Sequence, residues 1–524
     1  MTSTVERPAA EPARRPRPGS YARVAGLLAG AGALLAGELA GRLLPGGVSP
    51  VVAVGNRVVE LTPDAPRRAG ISAFGTLDKP LLLGGILLVV ALLALWCGDL
   101  TERSHTRAEL VVLALSVVVL AAVLPDSSAT LSGAVLTAVA VLAVGVALLR
   151  LLSSHAAPQR DLRRQPGVDR RHFFLRAGAV GVGTVAAGGL LKVLDRRAEV
   201  GAVRAALGLP TPVRLAPGDV QAASLGVRGL SPVITPNADF YRIDTALVVP
   251  QVDPRTFSLA VKGRVDRPLT LSYDQLLALP QVQADITIAC VSNEVGGDLV
   301  GLARWQGVLL RDVLAMAGVQ PGATQVVGES VDGFTAGFPT TFATDDRFAM
   351  IALGMNGEPL PIIHGFPARL IVPGLYGYVS ATKWLKSITL ATLEEFDGFW
   401  IPRGWSKLGP IKIASRIDVP RSGSQVPAGP VTVGGMAWAP GRGRGVTAVE
   451  VRVDEGPWQS ARLGGALSED AWRQWTWTWP ATPGLHLVEV RATDSTGEVQ
   501  TERTAPVAPD GASGYHAVEV QVGA

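Results

Sequence analysis

Cys290 is one of only two cysteines in this 524-residue chain, and it stands at the end of an apolar, strand-like run. The surrounding stretch, DITIACVSNEVGGDL at 285–299, becomes polar and glycine-rich directly after it. A thiol in such a place can be a metal ligand, a nucleophile or an inert buried group. No CxxC, CxxCH or paired His/Cys spacing occurs. The sequence therefore does not support a disulfide framework, a zinc finger, iron–sulfur ligation or covalent c-type haem.

Residues suited to an anionic ligand occur in two other segments, NADFYRID at 237–244 and HGFPARLIVPGLYGYVSATKWL at 364–385. Their chemically useful members are Asn237, Arg242, Asp244, His364, Arg369, Lys383 and the polar turn at 378–382. A histidine, cations and a turn rich in backbone N–H groups suit a phosphate-bearing ligand better than a hydrolytic triad. From residue chemistry alone, an inert thiol and a liganding thiol at position 290 carry equal weight.

The order of these segments resembles the sulfite oxidase family of molybdenum-cofactor enzymes, which includes assimilatory nitrate reductase and bacterial periplasmic relatives. A strand ends in Cys290 and Asn293 follows; HGFPxR and VPGxxG…S…KW come later, after MNGEPLP at 355–361. The resemblance extends over roughly 235–520, because the family commonly appends an immunoglobulin-like sandwich. It implies a mixed α+β molybdopterin domain at 237–419 and an immunoglobulin-like β-sandwich of the dimerisation type at 420–524.

The resemblance also implies roles for individual residues. Cys290 would be the thiolate ligand of molybdenum and, with Arg242, a catalytic residue. The residues implied to hold the molybdopterin come from four segments: Phe240, Tyr241, Arg242 and Asp244; Ser330 and Asp332; His364 and Arg369; and Ser380, Ala381, Thr382 and Lys383. A soft thiolate and the pterin dithiolene would hold the metal and leave positions open for oxygen-atom transfer.

Two departures from the family concern the substrate. Arginines follow the Cys-x-x-Asn segment in sulfite oxidases, whereas Glu294 and Val295 stand there in this chain. The segment EEFDGFWIPRGWS at 394–406 also differs, although Arg403 could supply a cation. The sequence therefore predicts poor recognition of sulfite and leaves the substrate open. No cytochrome domain is fused to the chain, so no haem is predicted in it.

The composition is that of a membrane protein, with 48% hydrophobic residues and a mean hydropathy of +0.30. Apolar stretches at 21–45, 80–98, 110–124, 130–152 and 173–194 approach the roughly 20 residues that a membrane-spanning helix needs. Basic residues flank these spans: Arg14, Arg15, Arg17 and Arg23; Arg103 and Arg107; Arg150, Arg160, Arg163 and Arg164. This distribution indicates membrane orientation and not nucleic-acid binding, although the 46–79 loop also carries Arg57, Arg67, Arg68 and Lys79.

The positive-inside rule then predicts the arrangement of the first 236 residues. The predicted parts are a cytoplasmic tail at 1–20, a four-helix membrane region at 21–152, a cytoplasmic basic loop at 153–171, a fifth membrane anchor at 172–195 and a linker at 196–236. The fifth span begins DRRHFFLRAGAVGVG, and its Arg170-Arg171 pair resembles a twin-arginine export signal. A plain positive-inside anchor is the alternative. Everything after Asp195 would lie on the outer side.

Several residues are predicted to have structural roles and not functional ones. We expect Glu38 to pair with Arg42 at the membrane interface, Cys97 to be a packed thiol, and Gly26, Gly30 and Gly32 to serve helix packing. The Trp475, Trp477 and Trp479 stripe is predicted to be sandwich core, and the glycine-rich 439–445 segment a hairpin loop.

Together these features predict a multi-pass protein of the cell membrane with an extracytoplasmic molybdopterin-dependent oxidoreductase domain. It would perform two-electron oxygen-atom transfer on a small substrate such as sulfite or a sulfoxide. Its expected partners are the lipid membrane, a separate quinone or cytochrome, and a second copy bound through the sandwich; nucleic acid is not expected. The alternative is a membrane-tethered surface binding or structural protein, with a non-catalytic domain and the sandwich as its interaction module.

Overall fold

The chain divides into two units, Met1–Arg197 and Ala198–Ala524. The computed structural model describes residues 19–63, 66, 74, 77–126, 129–153, 166–198, 200–441 and 443–523. Most of the predicted tail at 1–20 and of the basic loop at 153–171 lies outside the described residues. The same holds for Arg14, Arg15, Arg17, Arg160, Arg163, Arg164 and the side chain of Arg170.

Apolar helices make up the described part of the first unit. They are α1 (Gly19–Leu43), α2 (Pro50–Leu61), α3 (Asp78–Thr101), α4 (His105–Val123), α5 (Leu131–Ser153) and α6 (Pro166–Ala198). Five of them, α2 excepted, are long and apolar enough to cross a membrane. This agrees with the predicted number of spans. The short helix α2 lies in the 46–79 segment, for which the sequence predicted only a loop.

Glycines bring α1 close to its neighbours α3 and α5. A Cβ added to Gly26 would lie 2.2 Å from the carbonyl oxygen of Ala94, and one added to Gly30 would lie 2.6 Å from Ala94 Cβ. One added to Gly32 would meet Leu148 of α5 at 2.3 Å. Close helix contact at small residues is how membrane helices commonly associate. The predicted packing role of these glycines is confirmed.

Glu38 and Cys97 each form hydrogen bonds within the first unit. Arg42 donates to Glu38 Oε2 at 2.5 Å, which confirms the predicted pair. The other carboxylate oxygen of Glu38 accepts from Ser49 Oγ at 2.8 Å and from the Val51 N–H at 3.1 Å, at the N-terminus of α2. Cys97 is a packed thiol, as predicted; its Sγ donates to the Ala108 carbonyl at 3.4 Å.

Helix α6 contacts the rest of the first unit near its N-terminal end. Phe173 packs edge-on against Tyr21 with ring centroids 5.2 Å apart, and Arg176 donates to the Leu151 carbonyl at 3.3 Å. Further along, Val182 and Val185 are 71% and 76% exposed. The fifth candidate span therefore presents an apolar surface along most of its length.

Two sheets form the first part of the second unit; the first is mixed, and the strands of the second pair antiparallel. One has the strand order β2 (Leu269–Ser272), β1 (Ser258–Gly263), β10 (Leu385–Ala391), β5 (Gln325–Ser330), β6 (Thr335–Pro339). The other contains β3 (Gln281–Ala289), β4 (Val300–Leu309), β7 (Met350–Met355), β8 (Glu358–Pro359) and β9 (Arg369–Ile371). Two short helices, α7 (Gly201–Ala206) and α8 (Val220–Ala223), precede the strands. Four more lie between strands: α9 (Tyr273–Ala278), α10 (Leu310–Ala317), α11 (Thr341–Thr344) and α12 (Gly377–Ser380).

The local sequence explains the elements that position the site. Strands β3 and β4 pair antiparallel with Ala289 opposite Val300, so the chain turns back directly after β3. Nearly all residues of β3 and β4 are buried, which fits their apolar runs. Helix α9 begins with a capping box of Ser272 and Gln275, and α10 ends at Gly318, whose φ of +71° favours glycine.

Two further sheets form the C-terminal part of the second unit. Their strand orders are β11 (Ala414–Val419), β13 (Gly429–Trp438), β17 (Arg473–Ala481), β16 (Arg462–Leu463), and β12 (Ser424–Pro427), β19 (His516–Gly523), β18 (Gly484–Asp494), β14 (Val446–Val453), β15 (Gln459–Ser460). Both sheets contribute to one apolar core that contains Trp475 and Trp479, with Trp477 packed against it. The predicted core role of the tryptophan stripe is confirmed. The predicted hairpin at 439–445 is wrong, because β13 and β14 belong to different sheets and the segment crosses between them.

The segment at 196–236, predicted to be a linker, instead belongs almost entirely to the second unit and is bonded to its other parts. Arg204 donates to the Leu360 carbonyl at 2.7 Å, and the Gln283 N–H donates to the Arg214 carbonyl at 2.8 Å. Nearer its C-terminal end, the Val233 carbonyl accepts from Trp472 Nε1 at 2.7 Å. The Pro- and Gly-rich composition shows no helix or strand period, yet its backbone groups are bound by the neighbouring sheets. This part of the chain is therefore a strap and not a mobile tether.

Candidate functional site

A cavity of about 870 Å³, which includes space open to solvent, lies beside the end of β3. Nine of the residues predicted for the site line it, from segments far apart in sequence. They are Phe240, Tyr241, Asp244, Cys290, Ser330, Asp332, Arg369, Ala381 and Lys383. The fold thus brings together residues that the sequence could only propose as members of one site.

Cys290 follows the last residue of β3 and is held by the loop that it begins. Its N–H donates to the Leu299 carbonyl at 2.9 Å, and its carbonyl accepts from the Asn293 N–H at 3.0 Å. Asn293 Oδ1 in turn accepts from the Leu299 N–H at 2.8 Å. The thiol is 9% exposed, and burial raises its pKa although hydrogen bonds to Ser292 and the charge of Lys383 oppose this. The Asn of the motif therefore closes the loop that fixes the cysteine.

A polar wall, consisting of Asp244, Thr245, Ser330, Asp332, Arg369 and Lys383, forms one part of the cavity. Asp244 Oδ2 accepts from Lys383 Nζ at 3.1 Å and from Arg242 Nε at 2.9 Å. Asp332 Oδ2 accepts from Thr245 Oγ1 at 3.2 Å. Burial lowers the pKa of Lys383 to about 8, although Asp244 acts in the opposite direction. Lys383 is still mainly charged at neutral pH.

Arg369 is the most deeply buried cation of the polar wall, at 3% exposure. It begins β9, donates from Nη1 to the His364 carbonyl at 3.1 Å, and lies over the Trp305 ring at 5.0 Å. Its Nε is buried and has no hydrogen-bond partner within the described part of the chain. Burial lowers the pKa of Arg369 to about 10, so the guanidinium remains charged. A buried charged donor without a partner is costly unless a ligand accepts from it.

Four predicted residues do not line the cavity: Arg242, His364, Ser380 and Thr382. Arg242 is paired with Asp244, as described above. His364 Nε2 lies 3.0 Å from the Asn237 carbonyl, and burial lowers its pKa to about 4, so the ring is neutral. The Ser380 hydroxyl donates to the Tyr376 carbonyl at 3.0 Å. Arg242 and His364 therefore support the wall through their bonds to Asp244 and Arg369, whereas the buried Thr382 hydroxyl has no hydrogen-bond partner among the described residues.

An aromatic wall, consisting of Phe334, Tyr378, Trp400 and Trp405, forms another part of the cavity, and of these residues the sequence indicated only Tyr378, as part of a polar turn. Ring centroids lie 5.9 Å apart for Tyr378 and Trp405 and 6.4 Å apart for Trp400 and Trp405. Tyr378 also donates from its hydroxyl to the Ser406 carbonyl at 2.6 Å. The two tryptophans flank a short 3₁₀ helix, Ile401–Arg403, in a segment whose sequence shows no strand or α-helix period. The only signal in the sequence is the density of aromatic residues there.

Comparisons with known proteins agree with this arrangement. Residues 246–400 match a family model described as "Oxidoreductase molybdopterin binding domain". Sulfite oxidase of Gallus gallus is 31% identical over 323 residues, which cover 52% of this chain and 69% of that protein. The chain belongs to the sulfite oxidase family of molybdopterin oxidoreductases. Mitochondrial sulfite oxidase of Homo sapiens is 33% identical over 322 residues, but the match spans only 58% of that protein.

A solved structure supports the same fold. The sulfane dehydrogenase SoxCD from Paracoccus pantotrophus superposes with a TM-score of 0.50 at 24% identity, over 56% of this chain and 82% of that chain. At this identity the likeness concerns the fold alone.

The residues present fit the molybdopterin cofactor that this family implies. Cys290 offers a soft thiolate ligand on the cavity wall, and Arg369 has a buried N–H for which the described residues provide no acceptor. Arg369 and Lys383 are both cations, which suits a phosphate group. The fit therefore rests on the donor set of the wall and not only on the family.

Glu294 and Val295 do not line the cavity in the described structure. Both are exposed and border a separate cleft on the other side of the loop that follows Cys290. Val291 and Ser292 are the loop residues that reach the cavity. The replacement of arginines by these two residues therefore removes positive charge near the loop without placing a carboxylate on the cavity wall.

Proposed function

We propose that this chain is a membrane-anchored, extracytoplasmic molybdopterin-dependent oxidoreductase that performs two-electron oxygen-atom transfer on a small substrate. The observation that carries the proposal is the convergence of Cys290, Arg369 and Lys383 on one cavity in a chain of this family. When bound, the cofactor would supply a redox-active molybdenum whose coordination sphere accepts or releases oxygen. Cys290 would ligate that metal.

The protein's own residues would bind and orient the cofactor. Arg369 Nε would donate to an acceptor on the cofactor, since no described protein group accepts from it. Lys383 would add a second cation, held in place by Asp244 and by its hydrogen bond to the Ile363 carbonyl at 3.3 Å. The aromatic wall would cover the apolar faces of the ligands and exclude water.

The charges of the cavity wall favour a neutral substrate such as a sulfoxide over sulfite. The described residues that line the cavity include two cations, Arg369 and Lys383, and two carboxylates, Asp244 and Asp332. Lys383 is paired with Asp244, and Arg369 is assigned to the cofactor. Arg403 lies outside the lining, with its guanidinium over the Phe399 ring at 3.8 Å. No cation of the wall is thus left over for a doubly charged anion.

Metal analysis tests the proposal directly. Purified full-length chain should contain molybdenum and a pterin at about one equivalent each and should reduce or oxidise a redox dye in the presence of a sulfoxide, an N-oxide, nitrate or sulfite. A folded chain without molybdenum, expressed in a host that makes the cofactor, would instead favour the alternative, a surface binding protein. The outcome of the substrate panel identifies the direction of the reaction.

The membrane arrangement is also part of the proposal. The five candidate spans and the basic flanks support an N-terminus in the cytoplasm and a second unit outside. A domain that folds around a cofactor in the cytoplasm cannot be threaded unfolded through a translocon, so we assign Arg170-Arg171 as a twin-arginine signal. A separate quinone or cytochrome would exchange electrons with the site. The C-terminal sheets would form an immunoglobulin-like sandwich that contacts a second copy.

Replacing Arg170 and Arg171 by lysine tests the export route. Arg170→Lys with Arg171→Lys keeps the charge, so a positive-inside anchor should tolerate it, whereas a twin-arginine signal should not. We expect the double variant to retain the catalytic domain in the cytoplasm, protected from protease added to intact spheroplasts. Arg103→Lys with Arg107→Lys, at another predicted cytoplasmic loop, is the matched control and should be exported. Equal protease sensitivity of both variants and the parent chain contradicts the assignment.

A further inference from the structure

The loop that follows Cys290 is here called the Cys290 loop (residues 291–298). Its own hydrogen bonds close its base but fix its tip less firmly. The Asn293 bonds described above close the base. At the tip, the Gly297 N–H donates to the Glu294 carbonyl at 2.9 Å, and Gly296 has a φ of +77°. Such a glycine-rich tip has little conformational preference of its own.

Two side chains of the C-terminal sheets contact this tip. Arg416, on β11, donates from Nη1 to the Gly297 carbonyl at 2.7 Å. His516, the first residue of β19, lies directly against Gly296: a Cβ added to Gly296 would be 2.2 Å from His516 Cδ2. The tip is thus contacted from outside the domain that carries the rest of the cavity.

Both contacts are themselves fixed. Arg416 donates from Nε to Asp418 Oδ1 at 2.7 Å and from Nη2 to Ser231 Oγ at 2.9 Å. The Ile417 N–H donates to His516 Nδ1 at 2.9 Å, so this nitrogen carries no proton. Burial, and next the charge of Arg416, lower the pKa of His516, which keeps the ring neutral. The guanidinium and the imidazole are therefore rigid supports.

Beside the tip there is a narrow cleft, whose volume of about 410 Å³ includes space open to solvent. Glu294, Val295 and Gly296 border it on one side and residues of the C-terminal sheets, among them Trp438 and Gln500, on the other. The directional contacts from Arg416 and His516 therefore have a large share in determining the position of the tip. The opposite end of the same loop, Val291 and Ser292, lines the catalytic cavity.

We infer that Arg416 and His516 are positioning residues of the site, which hold the Cys290 loop in place and so make the C-terminal sheets part of the catalytic machinery. The catalytic consequence rests on the proposed function, whereas the control of the loop's mobility does not. A loop released at its tip would let Val291 and Ser292 move on the cavity wall, next to Cys290.

Hydrogen exchange on the full-length chain in detergent tests the mobility without any assay of activity. In Arg416→Ala, amides of the peptide that covers 291–299 should exchange about tenfold faster or more, the effect expected for loss of a hydrogen bond from a charged donor. Arg421→Ala, which removes an exposed guanidinium from the same domain, is the matched control and should leave the peptide within about twofold of the parent. Unchanged exchange in Arg416→Ala overturns the inference. So does faster exchange throughout the C-terminal sheets, which would show a general loss of stability.

The contact of His516 with Gly296 provides a second, independent test. Gly296→Ala should accelerate exchange of the loop, because the added methyl group collides with the imidazole. His516→Ala should make room for that methyl group, so the double variant should exchange more slowly than the sum of the two single effects predicts. Strict additivity would show that the imidazole does not constrain the tip.

Kinetics of the loaded enzyme complete the test. Arg416→Ala should lower kcat about tenfold with molybdenum content unchanged. Arg416→Lys should recover little, because the single nitrogen of lysine cannot reach three acceptors that are spread around a planar guanidinium. Full activity of Arg416→Ala, despite a mobile loop, refutes a positioning role in catalysis. If the parent chain binds no molybdenum, the proposed function fails while the exchange experiments still decide whether the loop is held from the C-terminal sheets.

Discussion

The polar and aromatic walls of the cavity are built on different principles. In the polar wall, Lys383 and Asp244 pair with each other and Arg369 is almost fully buried, so displacing any member would leave a buried charge. In the aromatic wall, Tyr378, Trp400 and Trp405 contact one another through ring faces and edges, and these contacts tolerate a change of neighbour. The comparison suggests a permanent ligand at the polar wall and an exchangeable, uncharged one at the aromatic wall.

The largest effect should come from Cys290, which lines the same cavity as both walls. Cys290→Ser should abolish turnover while the chain still folds, because an alkoxide is a poor substitute for a soft thiolate on molybdenum. Turnover and the spectrum of the metal are the measurements. Cys97→Ala, which removes the packed thiol of the membrane unit, is the control and should retain activity. An active Cys290→Ser with an unchanged metal spectrum would show that the cysteine is not a ligand.

The next effect tests the polar wall alone. Lys383→Met should lower the cofactor content of the purified chain at least about tenfold, because a phosphate loses a cation and Asp244 loses a partner, a change that typically costs several kcal/mol. The molybdenum-to-protein ratio is the readout. Lys386→Met removes a lysine that is 41% exposed and paired with Glu329, and it should leave the ratio unchanged. Equal ratios in the two variants would separate Lys383 from cofactor binding.

A smaller effect is expected at the aromatic wall. The chain should turn over a neutral sulfoxide with a higher kcat/KM than sulfite, and Trp405→Leu should lower the sulfoxide value about tenfold, in line with the contribution of aromatic contacts. Trp458→Leu, on the C-terminal sheets, serves as the control. Efficient oxidation of sulfite at micromolar concentrations would mean that cations outside the wall, such as Arg242 or Arg403, recognise the anion.

The smallest predicted effect is on thermal stability and concerns the buried carboxyl group of Asp470. Burial raises the pKa of Asp470 to about 6, and its Oδ1 accepts from the Gly441 N–H at 3.0 Å. Because the pKa of Asp470 is higher in the folded chain than in the unfolded chain, this carboxyl stabilises the folded state fully at pH values below its ordinary pKa near 4. The stabilisation is lost as the pH rises through about 6. Asp470→Asn should therefore raise Tm by a few degrees at pH 7.5 and much less at pH 4.5. The same shift at both pH values would contradict the buried charge.

The sequence predicted those residues of the site that lie within short, recognisable motifs. Cys290, Arg369 and Lys383 each lie within one recognisable segment, and five apolar stretches could be counted as spans without any tertiary information. Arg416 and His516 could not be found in this way, because their contact with the Cys290 loop joins positions more than a hundred residues apart.

The wrong predictions have a common physical cause, which is that local composition does not report long-range pairing. The Pro- and Gly-rich strap appeared to be a linker, because its residue types do not indicate that it bonds to β3 and to Trp472. The 439–445 segment appeared to be a hairpin because adjacent strands usually pair, whereas β13 and β14 lie in different sheets. Trp400 and Trp405 were missed because irregular segments have no period to read.

The tryptophans of the cavity should also allow cofactor binding to be followed by fluorescence. Trp384, Trp400 and Trp405 line it, three of the eleven tryptophans in the chain. A reduced pterin absorbs near-ultraviolet light, so a cofactor beside these indoles should quench their emission by energy transfer. Titrating cofactor into the cofactor-free chain should then dim its intrinsic fluorescence, and removing Trp405 should shrink the change. Such a signal would report occupancy in real time, without a substrate and before the physiological redox partner is known.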